Sequence, residues 1–200
     1  MPSRRQQAEI RREQIIDAAL KVFSEKGYDG ASIRDIAEEV GVSEGLMYHY
    51  FSSKEELLQT CWRERTWGAQ LEMILSDTQG KSVAEVLQTL VKGFLNSLYS
   101  CASSVRMCLA EMQRNNDVAT VQIEHIDENQ KILINFLKSR QNIGEISCKA
   151  DVQMAAGMLM GCAFSLFILW NRLSEPEWIE KVDAFSTAGV NFILHGLYVP

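Results

Sequence analysis

Between Ser32 and Lys54 the chain reads SIRDIAEEVGVSEGLMYHYFSSK. A helix over about 43–51 would turn Met47, Tyr50 and Phe51 inward and leave Glu44, Gly45, Leu46, Tyr48 and His49 outside. A carboxylate, a leucine, a phenol and an imidazole exposed so close together suit a surface that meets something. Bond-making chemistry has no such support. The chain shows no Ser-His-Asp set, glycine-rich phosphate loop or metal cluster, and His125 and His195 stand alone. The expected role is recognition, with no catalytic residue, cofactor or metal.

Two further elements must position that helix. Ser32 and Asp35 have capping-box spacing, so a helix can begin at Ser32. Ile33, Ile36, Ala37 and Val40 give it one apolar stripe. Gly41 can take the positive φ that stops the helix, Val42 plugs the corner, and Ser43 caps the next helix. Ser53 with Glu56 caps a third. Helix, glycine turn and short helix form a helix-turn-helix, whose second helix enters the DNA major groove.

Three runs in this order carry a resemblance: FSEKGY at 23–28, SIRDIA at 32–37, and GVSEGLMYHYFSSKEEL at 41–57. From about Ile15 to Leu58, the chain resembles the N-terminal domain of the TetR family of transcriptional regulators. The resemblance implies a homodimer that reads a palindromic double-stranded DNA operator and is released by a small-molecule effector, most often as a repressor. It implies roles by position. Arg34 reaches base or phosphate, and arginine is the side chain for bidentate contact with guanine. Ser43, Tyr48, Tyr50 and Lys54 match positions that hold phosphates, although Tyr50 fits a core role equally well. Glu44, Gly45, Leu46 and His49 lie where base edges are read. Gly45 lets the backbone come close. Leu46, where the family often has Thr, offers only apolar contact. Glu44 can accept from a cytosine amino group or simply be a solvated charge at a helix N-terminus.

Composition sets bounds. Two hundred residues, 46% of them apolar, suffice for a small domain joined to a larger one, and three prolines argue against long linkers. The net charge of −6 excludes a generally basic nucleic-acid binder. Residues 1–12 nevertheless carry Arg4, Arg5, Arg11 and Arg12 against Glu9 alone, a net of +3. They read as a basic arm, either serving DNA or merely solvated. The first residues are polar with no apolar core behind them, which predicts no signal peptide and a cytoplasmic protein. Cys61, Cys101, Cys108, Cys148 and Cys162 form no CxxC pair and are expected to be reduced thiols. Cys101 and Cys108 leave a thiol-sensing regulator open as an alternative, with small-hydrophobe packing the plainer role.

The pattern predicts an all-α chain with no strand or repeat. An N-terminal three-helix DNA-binding domain spans 1–58, and a larger helical ligand-sensing and dimerisation domain spans 59–200. Helices are expected over about 9–26, 54–75, 82–99, 103–112 and 118–140, the last burying Ile126, Leu133 and Leu137. Soft and flat side chains line adaptable pockets, although each alone is more often plain core. Trp62, Trp67, Met107, Met112, Met158, Phe164 and Phe167 are the candidates for an apolar or amphipathic effector.

Residues 154–170, MAAGMLMGCAFSLFILW, carry no charge. They read as a buried helix; a membrane span is the rival at the bottom of the length range. Gly157 and Gly161 allow close helix approach. In the last helix, capped by Ser174 and Glu177, Trp178, Val182, Phe185, Gly189, Phe192 and Gly196 recur at intervals of four and three. That seam packs within one subunit or between two. The family resemblance favours the second, with Gly157, Gly161, Val182, Phe185, Gly189 and Phe192 at a dimer face.

Overall fold

The computed structural model describes residues 3–65 and 67–195. Gly196 of the proposed seam lies outside them. Ten α-helices follow in order: α1 (Arg4–Gly30), α2 (Ile33–Val40), α3 (Glu44–Tyr50), α4 (Lys54–Arg65), α5 (Trp67–Ser76), α6 (Val83–Ser100), α7 (Ala102–Met112), α8 (Asn116–Asn142), α9 (Val152–Trp170) and α10 (Glu175–His195). No strand occurs among the described residues.

The helices divide into two compact units. The first holds residues 3–65 together with 103–124; the second holds 67–102 and 125–195. In the first, α1 packs against α2 and α4, and α2 against α3. Its core is Ile15, Ile16, Phe23, Ile36, Met47, Leu57 and Leu58, all essentially excluded from water. Cys108 of α7 and Val118 of α8 close this core, so α7 and the start of α8 belong with the N-terminal helices, while the rest of α8 belongs to the second unit. The glycine turn works as its chemistry dictates. Gly41 adopts φ 76°, ψ 41°, and its N–H and that of Val42 donate to the Ala37 carbonyl, ending α2. Gly27, with φ 73°, kinks α1, which resumes to Gly30.

Two differences arise at the start of the chain. The expected arm is a helix from Arg4 onward, because Ser3 and Gln6 exchange side-chain and backbone hydrogen bonds as a capping box. Arg12 is committed to the fold, its guanidinium donating twice to the Glu64 carboxylate at 2.6 Å.

In the second unit, α6 is the central helix, packed by α5, α9 and α10. It buries Val86, Leu87, Leu90, Val91 and Leu95. Trp178 of α10 lies stacked on Tyr99 at 4.7 Å and edge-on to Phe167 at 6.4 Å. Its indole N–H donates to Asn96 Oδ1, and the Tyr99 hydroxyl donates to the Leu173 carbonyl. Gly93 admits the Trp67 ring; a Cβ there would stand 2.9 Å from it. Leu133 and Leu137 are buried as expected, but Ile126 is 48% exposed.

Candidate nucleic-acid interface

The short helix α3 is held from behind. Met47 and Phe51 sit in the first unit's core, and Tyr50 is half-buried against it. Ser43 caps the helix by accepting from the Leu46 N–H. That leaves Glu44, Gly45, Leu46, Tyr48 and His49 in solvent, with Tyr48 at 55% exposure. A Cβ built on Gly45 meets nothing within 4 Å, so the space in front of the backbone there is open. The ring of His49 stands edge-on to Tyr50 at 5.5 Å.

Arg34, in the first turn of α2, is exposed, and its Nε donates to Glu38 at 2.9 Å across one helical turn. So exposed a pair is weak and can open. The start of α2 is tightly fixed: Asp35 accepts from the Ser32 N–H and hydroxyl and pairs with Lys26. The Lys26 ammonium and Ser32 hold the Asp35 carboxyl well below the usual carboxylate range.

Lys54 differs most from expectation. Its ammonium donates to the Tyr28 and Ala31 carbonyls at 2.8 and 3.0 Å and lies 4.2 Å from the centre of the Tyr28 ring. The side chain therefore staples the end of α1 to the start of α4, with one N–H left over. Lys54→Ala should destabilise the protein by about 1–3 kcal/mol in urea unfolding, because two carbonyls lose a charged donor. An unchanged unfolding curve would remove the staple.

An open depression of about 460 Å³ lies beside α3. Leu46 and Tyr50 form one wall, and Arg4, Gln7, Arg11 and Gln14 of α1, with Ala8 and Ile10 between them, form the other. The sequence marks Arg4 and Arg11 as part of a basic arm that serves DNA or is merely solvated; that they stand on a helix is the new feature, and the capping-box spacing of Ser3 and Gln6 is its signal.

A family model for bacterial regulatory proteins of the tetR family matches residues 15–61. A fatty acid metabolism regulator protein of Bacillus subtilis is 29% identical over 187 residues, covering 92% of this chain and 94% of its own. The transcriptional repressor KstR2 of Rhodococcus jostii is 24% identical, covering 95% of this chain and 92% of its own. The crystal structure of FadR from Bacillus subtilis in complex with stearoyl-CoA shares the fold, with a TM-score of 0.75 at 24% identity over 93% of this chain and 99% of that one.

Residues 15–61 thus match the DNA-binding domain of the TetR family, and over most of its length the chain is similar to transcriptional regulators.

The candidate effector residues divide between the two units. Trp62 is buried in the first unit's core, with Met107 and Met112 packed against that core. Trp67 is buried in the second, edge-on to Phe94 at 5.6 Å. Phe167 is fully buried against Trp178, and Phe164 is half-buried beside it. Met158 is 44% exposed on the outer face of α9, not in an interior.

The candidate dimer residues divide as well. Val182, like Trp178, faces the interior of its own subunit together with Ser186 and Val190, spaced four apart. Gly157 lies close to α8: a Cβ there would stand 3.2 Å from Gln130 Nε2. Phe185 and Gly189 are half-buried, Phe192 is exposed, and Gly161 meets nothing within 4 Å. The expectation that α9 is simply buried holds for one face only. Val152, Ala156, Leu159, Ala163, Leu166 and Phe167 are inside, while Met154, Met158, Ile168 and Leu169 are 44–73% exposed. By length and composition α9 also meets the criterion for a membrane span.

Cys101 ends α6 and Cys108 lies within α7, so they share no helix face. Burial raises the Cys101 thiol and pushes that of Cys108 up to about 12, which disfavours the reactive thiolate at neutral pH.

Proposed function

We propose that the protein is a cytoplasmic repressor that binds a palindromic operator as a homodimer and leaves it when a small amphipathic effector binds. The observation that carries this reading is the outer face of α3. Met47 and Phe51 anchor the helix, and Glu44, Gly45, Leu46, Tyr48 and His49 project with no core role. In that role Leu46 and His49 read base edges, Tyr48, Ser43 and the third N–H of Lys54 hold phosphate, and Arg34 exchanges Glu38 for DNA. One such helix spans only a few base pairs. Two heads about 34–36 Å apart read two half-sites on successive turns.

Residues 1–58 would carry the reading head, and 59–200 the sensing and dimerising functions. The uncovered apolar face of α9 supports a second copy as partner, since an exposed patch of that kind marks an interaction site. An acyl-type effector is supported by the fatty acid metabolism regulator among the relatives and by the stearoyl-CoA bound to FadR. The effector acts by binding the released arrangement more tightly than the DNA-bound one. The raised thiols of Cys101 and Cys108 speak against redox sensing as the trigger.

Selecting bound sequences from random duplex DNA with the purified protein tests the reading. Enrichment of a palindrome with half-sites about one turn apart is expected. Failure to enrich any sequence would sink it. Gly45→Ala sharpens the test. It should stabilise α3 by up to about 1 kcal/mol, because alanine is the better helix former and the added methyl meets nothing. The same methyl should weaken operator binding by occupying the gap in front of the backbone. A variant both more stable and equally tight on DNA would remove Gly45 from the interface.

A further inference from the structure

We propose that the first three turns of α1 are a second DNA contact, a phosphate-gripping row beside the recognition helix. The proposal rests on the reading of α3 as the base-reading element and adds a surface which that reading does not include.

The geometry comes first. Arg4, Gln7, Arg11 and Gln14 are spaced three, four and three apart, which places them on one face of a helix. That face forms one wall of the 460 Å³ depression whose other wall is Leu46 and Tyr50 of α3. Whatever lies along the outer edge of α3 therefore lies against this row. The Ser3–Gln6 capping box makes the row helical from Arg4, so Arg4 and Arg11 project from one rigid element.

Charge points the same way. Lys21, Lys26, Arg12 and Arg34 all pair with carboxylates of their own chain. Among the described residues, no such partner accompanies Arg4 or Arg11, although the chain as a whole is acidic. Two guanidiniums on one face supply many N–H donors, and guanidinium forks match phosphate oxygens. The row is also bounded: a second depression, which shares Arg11 and Gln14 with the first, is lined by Asp17 and the Lys21–Glu39 pair, whose carboxylates oppose an anion. Continuity with Leu46 and Tyr50 selects the DNA backbone as occupant over an acidic protein or an anionic lipid surface. Phosphate contacts carry no sequence information, so the row should strengthen binding to every duplex alike.

The test uses the full chain, the operator obtained by selection and an unrelated duplex of equal length, with affinity read by fluorescence anisotropy across a salt series. Arg4→Ala/Arg11→Ala should lower affinity for both duplexes by the same factor and reduce the salt slope by about 1.8 per bound head. Arg5→Ala, which lies off the row, should change the slope by less than half as much. All variants should keep the wild-type melting temperature, because Arg4, Arg5 and Arg11 are not core residues. A double variant with wild-type affinity and salt slope overturns the row, even while the operator is still recognised through α3. Loss confined to the operator would mean base reading and would overturn the phosphate assignment. A wild-type protein that binds neither duplex would fell the reading of α3 and this inference together.

Discussion

Met158→Glu should leave the subunit folded, convert it to a monomer and weaken operator binding by about 10²–10⁴-fold. Met158 is 44% exposed, so within a single subunit the new carboxylate remains hydrated and costs little. It stands on the outer face of α9, one turn from Met154. If two subunits meet on that face, the charge becomes buried without a partner, at a cost of several kcal/mol that a dimer interface cannot absorb. The DNA effect follows from geometry. Joined heads bind the second half-site at the high effective concentration set by their connection, and separated heads lose that factor with every contact in α3 intact. Sedimentation equilibrium and operator titration on the same sample decide the matter. A Met158→Glu protein that remains dimeric would place the interface elsewhere. A wild-type protein that is monomeric at micromolar concentration yet binds a palindrome tightly would remove the need for one.

Much of the head was legible because its devices are local. Ser32 with Asp35, Ser43 and Gly41 each act within four residues, through side-chain caps or a positive φ that glycine adopts without cost. A three-residue spacing is enough to read them. Lys54 was not legible in the same way, because its carbonyl partners lie 26 and 23 residues away, and nothing periodic marks a lysine for them. Charge alone marks the basic N-terminus as an arm, whereas a short-range cap makes it a helix. The last helix shows a different limit. Apolar spacing identifies a face to be covered but does not say by what. Trp178 and Val182 fit a seam between subunits and instead face the interior of their own unit. In α9 the reverse holds: an uninterrupted apolar run looks uniformly buried, yet its outer side is open. Softness and flatness alone mark the effector candidates, and any core shares these properties; all but the exposed Met158 are divided between two cores.

Trp178→Ala should be the most destabilising single change in the second unit, by about 3–5 kcal/mol. The side chain is 1% exposed, stacked on Tyr99 and edge-on to Phe167, so truncation opens a cavity between α6, α9 and α10. The two ring contacts add about 0.5–1.5 kcal/mol each beyond the buried area. Asn96 loses its indole donor as well. For a chain of this size the melting temperature should fall by about 10 °C or more. Trp178→Phe separates the contributions. It keeps a ring on Tyr99 and loses the hydrogen bond, so its cost should be nearer 1–2 kcal/mol. The consequence extends to DNA. Loosening the seat of α10 against α6 and α9 also loosens the base of the proposed dimer face. Operator affinity of Trp178→Ala should then fall more steeply on dilution than that of wild type, while α3 and its caps stay intact. Thermal unfolding and operator titrations at two protein concentrations measure both effects. If Trp178→Ala melts within a few degrees of wild type, the aromatic cluster does not hold the second unit together.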